Sequence, residues 1–164
     1  MADVMAQNYP DLFAAVGIQA GLVASAAHTA MSAMAVMRNG PPMALPVALV
    51  NLPRTRVPII VFQGDADTTV HPRNAERIVH ATLAGDDADG AQQTTGTAPG
   101  GRRFTRRRYA AVAGRADMEY WLIHGSSHAW SGGSPAGSFT DPAGPDASAE
   151  MLRFFLAHPR VRAA

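Results

Sequence analysis

The stretch MEYWLIHGSSHAWSGG, residues 118–133, contains the features that decide the fold of this chain. Its first six residues are mostly apolar and include no glycine or proline, which predicts a buried β-strand. A loop of glycine and serine follows directly and carries two histidines, His124 and His128. In open α/β sheets, ligands and catalytic groups gather beyond the carboxyl ends of the strands. The stretch therefore predicts a strand that holds imidazole groups at the edge of a site.

A second strand with the same arrangement lies earlier in the chain. Residues 56–63 (RVPIIVFQ) are rich in β-branched residues and apolar on both faces, and an acidic loop containing Asp65 and Asp67 follows. Pro72 then begins a helix at its favoured first-turn position. If the two strands are neighbours, Asp67 and His128 can meet. A carboxylate beside an imidazole fixes the tautomer of the ring and stabilises the imidazolium ion.

Strand and helix patterns alternate along most of the chain. Residues 13–20 form an apolar run typical of a buried strand, and residues 22–37 are rich in alanine and methionine, which favours a helix. Asp146 is placed to cap a last helix, with Glu150 in its first turn. The predicted buried face of that helix comprises Met151, Leu152, Phe154, Phe155 and Leu156. The fold class is therefore predicted as α/β, with a mostly parallel sheet flanked by helices in a single domain over residues 1–164.

Two segments between the strands carry little apolar patterning. Residues 85–101 are rich in Gly, Asp, Thr and Gln, and we predict a mobile surface insertion there. Residues 102–112 contain five arginines and are predicted to form an edge strand. The arginines have two interpretations: a contact for a polyanion, or charges that keep an exposed edge from aggregating.

Composition excludes several classes of protein. The 164 residues carry a formal net charge of +1, so the overall charge does not indicate a nucleic-acid partner, and no run approaches the length of a membrane span. The absence of cysteine excludes disulfides and thiolate metal sites. The histidines and Asp67 lack the paired spacing of a zinc motif, so we predict no metal.

The two loops resemble known motifs. Residues 64–70 (GDADTTV) are similar to the acid loop of α/β-hydrolases, a Gly-x-x-Asp-x-x-Val pattern whose acid maps onto Asp67. Residues 125–133 resemble the His loop of the polyhydroxybutyrate-depolymerase-type esterases, Gly-x-x-His-x-Trp-x-Gly-Gly, in which the catalytic histidine maps onto His128. The beginning of the chain is similar to the helix that follows the nucleophile in that family, and residues 146–155 are similar to its last helix.

The resemblance implies a carboxylic ester hydrolase that uses a Ser-His-Asp triad without a cofactor. Implied substrates are polyesters of short hydroxyacids, or feruloyl and acetyl esters, and the implied location is extracellular. Trp130 is either a core residue or part of the substrate wall. His124 is interpreted as a strand-end residue that packs against its neighbours, and Asp65 as a turn-stabilising residue. The oligomeric state stays open.

The chain departs from the family pattern at the nucleophile. The family places its serine in G-x-S-x-G, on a turn between a strand and a helix, and this sequence contains no such pattern. The resemblance places that turn just before Met1, so we expect a partial α/β-hydrolase fold whose N-terminal half is missing. Such a chain is expected to be inactive alone. The alternative is a non-catalytic, truncated hydrolase fragment with at most residual ligand binding.

Overall fold

The computed structural model describes residues 1–41, 57–83, 90–111 and 116–160. Residues 42–56, which precede most of the strand predicted at residues 56–63, lie outside these ranges. The described helices are α1 (Ala2–Asn8), α2 (Ala30–Asn39), α3 (Arg73–Leu83) and α4 (Ala147–Ala157). The strands are β1 (Val16–Gln19), β2 (Ile59–Gly64), β3 (Gln92–Thr97), β4 (Arg103–Tyr109), β5 (Met118–Ile123), β6 (Trp130–Ser131) and β7 (Thr140–Asp141).

The main sheet has five strands in the order β1-β2-β5-β4-β3. β1, β2 and β5 are parallel to one another, whereas β4 runs antiparallel to β5 and β3 antiparallel to β4. The α/β class is confirmed, but the expectation of a mostly parallel sheet is wrong because two of the four strand pairs are antiparallel. Only residues 110–117 separate β4 from β5. A parallel connection needs a crossover of a dozen or more residues, so this short connection requires an antiparallel pair.

The segment predicted as a surface insertion contains a regular strand. β3 lies within residues 85–101 and pairs with β4 along its whole length, while residues 84–89 lie outside the described residues. β4 is therefore an interior strand and not the predicted edge. The sequence of β3, QQTTGT, has no apolar residue, and five of its six residues are exposed. A polar edge strand of this kind lacks the hydrophobic alternation from which strands are predicted.

The hydrophobic core lies on both faces of β2, all six residues of which are buried. Ile59 and Val61 pack into a cluster with residues of α1 and α3. Ile60 and Phe62 pack into a second cluster with Trp121 and with residues of α4. The rings of Phe62 and Trp121 stack with centroids 5.4 Å apart. The apolar run on both faces of β2 therefore reflects a strand sandwiched between two helical layers.

The last helix begins as predicted. The Asp146 side chain accepts a hydrogen bond from the Ala149 amide at 3.0 Å, which caps α4. The buried residues of α4 are Ala147, Met151 and Phe154, whereas the predicted face also included Leu152, Phe155 and Leu156, which are exposed. Residues spaced by four and then three share one helical face, so the three exposed residues lie on other sides of the helix. The sequence prediction of the buried face was therefore too wide.

The helix predicted at residues 22–37 begins later in the structure. α2 begins after Thr29, whose side chain accepts a hydrogen bond from the Ser32 amide, while the Ser32 hydroxyl accepts from the Thr29 amide. This reciprocal pair is a capping arrangement that satisfies two amides at the start of the helix. The alanine-rich composition of residues 22–29 favours a helix, but the cap at Thr29 determines where it starts.

Candidate active site

The site lies where β2 and β5 end side by side. The parallel register pairs Gly64 with Ile123, so the loop that bears Asp67 and the loop that bears His128 leave the sheet at the same edge. The structure brings these two predicted residues together: Asp67 Oδ2 lies 2.8 Å from His128 Nδ1. The sequence predicted this contact only if the two strands were neighbours. The structure shows that β2 and β5 are adjacent and parallel.

The backbones of the two loops are in direct contact. The Asp65 amide donates to the Ile123 carbonyl and the Ala66 amide donates to the Ser126 carbonyl, both at 3.1 Å. A Cβ atom at Gly64 would collide with the backbone carbonyl of Ser126. Glycine is therefore required at position 64 because any side chain would separate the loops and move the carboxylate away from the imidazole.

Asp67 is held rigidly by its own loop. Its Oδ1 accepts hydrogen bonds from the amides of Thr69 and Val70, both at 2.8 Å, and its Oδ2 is 3.3 Å from Gln63 Nε2. The carboxyl side chain is only 1% exposed. A buried carboxylate must be matched by hydrogen-bond donors, and the backbone supplies them here. Asp67 is thereby fixed with one oxygen directed to the ring of His128.

His128 lines a cavity, and its second ring nitrogen is not engaged by Asp67. Since a carboxylate can only accept, Nδ1 of the neutral ring carries the hydrogen, and Nε2 has a free lone pair. Nε2 makes no hydrogen bond with any residue that the structure describes, and the side chain is 40% exposed. This is the state in which an imidazole can take a proton from a reacting group.

The cavity beside His128 has a volume of about 530 Å³. Its lining residues are Gln19, Ala20, His128, Ala129, Trp130 and Phe139. The Trp130 ring lies in the wall of this cavity and is partly exposed, and its Nε1 donates to Ser148 Oγ at 3.1 Å. Gln19, at the end of β1, donates to the Ala129 carbonyl at 3.0 Å. The cavity is thus bounded by the end of β1, by the loop that follows β5 and by two aromatic rings.

A second carboxylate–imidazole pair lies beside the first. Asp65 Oδ2 is 2.8 Å from His124 Nδ1, and Asp65 Oδ1 accepts from the Gly125 amide. His124 Nε2 is 2.9 Å from the Thr105 hydroxyl, so both of its ring nitrogens are engaged. The prediction that His124 packs against its neighbours is confirmed, but its pairing with Asp65 was missed. The sequence offered one signal for this pairing: the loop after β2 carries two aspartates, Asp65 and Asp67, and the loop after β5 carries two histidines, His124 and His128.

An ion pair anchors the His loop from the other side. Arg102 donates to both oxygens of Asp141, at 2.9 and 3.0 Å, and the Ser126 hydroxyl donates to Asp141 Oδ2 at 2.7 Å. Burial acts to raise the pKa of Asp141, but the hydrogen bonds from Arg102 and Ser126 outweigh it and lower the pKa below its usual value. Asp141 belongs to no recognisable motif, so sequence analysis could not have identified it.

His71 lies just before α3, and its Nδ1 accepts a hydrogen bond from the Arg73 amide at 3.2 Å. No group of three or more His, Asp or Glu side chains in the described ranges is arranged to hold a metal ion. Within the same ranges, no helix is long and apolar enough to cross a membrane.

Comparison with known proteins gives the family. The sequence profile of the Esterase PHB depolymerase family matches residues 1–103, which is more than half of the chain. This chain belongs to that family. The matched region contains β1, β2 and Asp67, whereas His128 lies beyond it. No curated protein gives a significant match. Membership makes the chain an esterase-type hydrolase by family, and the carboxylate–imidazole pair is the feature of its structure that suits this chemistry.

Proposed function

We propose that this chain supplies the general base and its carboxylate partner to an ester hydrolase of the Ser-His-Asp type. One observation carries the proposal: His128 Nδ1 is bound to buried Asp67, Nε2 has no hydrogen-bond partner among the described residues, and the residue lines a cavity of about 530 Å³. The substrates are carboxylic esters, with polyesters of short hydroxyacids as the first candidates and feruloyl or acetyl esters as the second. The apolar rings of Trp130 and Phe139 suit an acyl chain at the wall of the cavity.

The pair acts by moving one proton. A serine hydroxyl attacks the ester carbonyl carbon, and its proton passes to His128 Nε2. Asp67 stabilises the imidazolium ion and keeps the ring in the required orientation. Collapse of the tetrahedral intermediate breaks the bond to the alcohol, which leaves with the proton from Nε2. Water then attacks the acyl-serine and gives a proton to Nε2, which passes it to the serine oxygen as that oxygen leaves and the carboxylic acid is released.

The proposed fold extends beyond these residues. The parallel strands β1, β2 and β5, with the acid after β2 and the histidine after β5, suit the second half of an α/β-hydrolase sheet. The 164 residues contain no G-x-S-x-G, so we place the nucleophile and the oxyanion-binding amides in a preceding segment. On this proposal the 164-residue chain alone hydrolyses p-nitrophenyl butyrate at close to the uncatalysed rate. The implied extracellular location is part of the same proposal.

The decisive experiment reads the DNA in frame upstream of Met1 and expresses the extended protein. A strand followed by G-x-S-x-G is expected, with hydrolysis of p-nitrophenyl butyrate that His128→Ala reduces by about 10³-fold or more. His124→Ala is the matched control and should retain most of the activity. Equal activity in the wild type and in His128→Ala would refute the proposed base.

The second candidate, a non-catalytic fragment, is favoured by one observation: the absence of a G-x-S-x-G pattern from the 164 residues. A stop codon or an unrelated sequence directly upstream would select it. Hydrolysis by the 164-residue chain itself, abolished by His128→Ala, would contradict both the second candidate and the expected inactivity of the isolated chain.

A further inference from the structure

A groove unconnected with the carboxylate–imidazole pair lies on one face of β3 and β4. It has a volume of about 180 Å³ and is lined by Gln92, Thr94, Arg106 and Arg108. The antiparallel register sets Gln92 opposite Arg108 and Thr94 opposite Arg106. Side chains two residues apart on a strand share a face, so the four side chains form one cluster. All four can donate hydrogen bonds and two are cationic, which matches the groove to an oxyanion.

The two arginines of the groove differ in their partners. Arg106 Nη2 donates to buried Glu119 at 3.1 Å, and its guanidinium lies 5.3 Å from the centroid of the Trp121 ring. Arg108 forms no ion pair with any residue in the described part of the chain. Arg106 is therefore positioned and partly neutralised, while Arg108 is exposed and able to bind an anion.

The arrangement does not suit an extended polyanion. Arg103 and Arg107 lie on the opposite face of β4 by alternation, and Arg107 Nε donates to Gln93 at 3.0 Å. Arg102 is engaged by Asp141. The five arginines therefore form no continuous row of free cations. The groove has a volume of only about 180 Å³, which suits a small ligand.

We propose that this groove binds a small oxyanion, either a carboxylate or a phosphate. Arg108 is the principal ligand, since its planar guanidinium can donate two parallel hydrogen bonds to such a group. Arg106 adds charge from a fixed position, and Thr94 and Gln92 add a hydroxyl and an amide donor from the facing strand. The site stands independently of the proposed esterase function.

Calorimetric titration of the 164-residue protein tests the site, with sodium succinate in one arm and sodium phosphate in the other, at constant ionic strength. Saturable binding is expected in at least one arm, and the ratio of the two affinities assigns the ligand as carboxylate or phosphate. Arg108→Gln should weaken binding about tenfold, as expected for loss of a charge-assisted hydrogen bond. Arg103→Gln is the matched control: it removes the same charge from the same strand on the opposite face and should leave the affinity unchanged.

Two outcomes would overturn the proposal: no saturable binding of either anion to the wild type, or equal weakening by Arg103→Gln and Arg108→Gln. The second outcome would show a response to net charge alone. If circular dichroism shows that Arg108→Gln does not fold, Thr94→Val decides the question, since it removes one donor and keeps the shape of the side chain. Weaker binding in Thr94→Val supports the site, and unchanged binding overturns it.

Discussion

At the scale of single residues, the orientation of Asp67 determines which nitrogen of His128 carries the hydrogen. In Asp67→Asn, the amide oxygen can still accept from the backbone amides of Thr69 and Val70, so the amide nitrogen would face His128 Nδ1. We predict that the ring then moves its hydrogen to Nε2. Nitrogen-15 NMR of the imidazoles measures which ring nitrogen carries the hydrogen.

A control for this prediction is present in the same molecule. The side chain of Asp65 faces His124 Nδ1 in the same way. Asp65→Asn should therefore change the tautomer of His124 and leave that of His128 unchanged. A native His128 that carries its hydrogen on Nε2 would contradict the proposed base. In a serine-bearing form of the protein, Asp67→Asn should lower kcat by about 10⁴-fold, since the nitrogen that must accept the proton is then occupied.

At the scale of elements, buried Glu119 joins α4 to the sheet. It accepts from Arg153 on α4 at 2.6 Å, from Arg106 on β4 at 3.1 Å and from the Trp121 indole at 3.3 Å. We predict that Glu119→Ala lowers the free energy of unfolding by about 2 kcal/mol, because two partly buried arginines lose a charged partner. Urea denaturation measures the loss.

Glu150→Ala is the matched control for Glu119→Ala. Glu150 pairs with the same Arg153 at 2.7 Å, but on the exposed surface of α4. Its loss should cost less than about 1 kcal/mol, because solvent screens exposed ion pairs. Equal effects of the two substitutions would show that burial of Glu119 adds nothing to the junction between α4 and the sheet.

The ion pair between Arg102 and Asp141, which anchors the His loop, makes the stability of the fold depend on acid pH. The pKa of Asp141 is lowered in the folded protein despite its burial, because Arg102 and Ser126 bind the carboxylate. The contribution of Asp141 to stability is therefore complete above its unfolded pKa of about 3.9 and is lost as the pH falls through the lower folded value. Urea unfolding at a series of pH values below about 5 should show a decline that Asp141→Asn reduces. If the free energy of unfolding falls with decreasing pH as steeply in Asp141→Asn as in the wild type, this role of Asp141 is contradicted.

At the scale of the whole molecule, β1 forms one edge of the described sheet. Among the described residues, β1 pairs only with β2, and large apolar side chains nearby in the sequence are exposed, including Met1, Leu12 and Met31. We predict that the isolated chain self-associates or binds a hydrophobic dye, since an unpaired strand edge is a template for further pairing. Dye fluorescence and sedimentation measure this. A soluble monomer that melts in one sharp transition without dye binding would contradict it.

The sequence predicted the parts of the molecule whose signal is local. A strand apolar on both faces, a capping aspartate and a glycine-rich loop each depend on a few adjacent residues, so β2, the start of α4 and the loop after β5 were placed correctly. The contact of Asp67 with His128 followed once β2 and β5 were neighbours. Features that depend on partners far along the chain were missed. β3 has no apolar residue, and Asp141 acts through Arg102 and Ser126, which no spacing rule connects.

The hydrogen bond from Gln19 to the Ala129 carbonyl has a consequence for assembly. It ties the last residue of the edge strand β1 to the residue next to His128. A parallel strand that added to the free edge of β1 would end beside Gln19, and the turn after it would meet the cavity that His128 lines. If a separate polypeptide supplied that strand, its pairing with β1 would also bring its turn into line with His128.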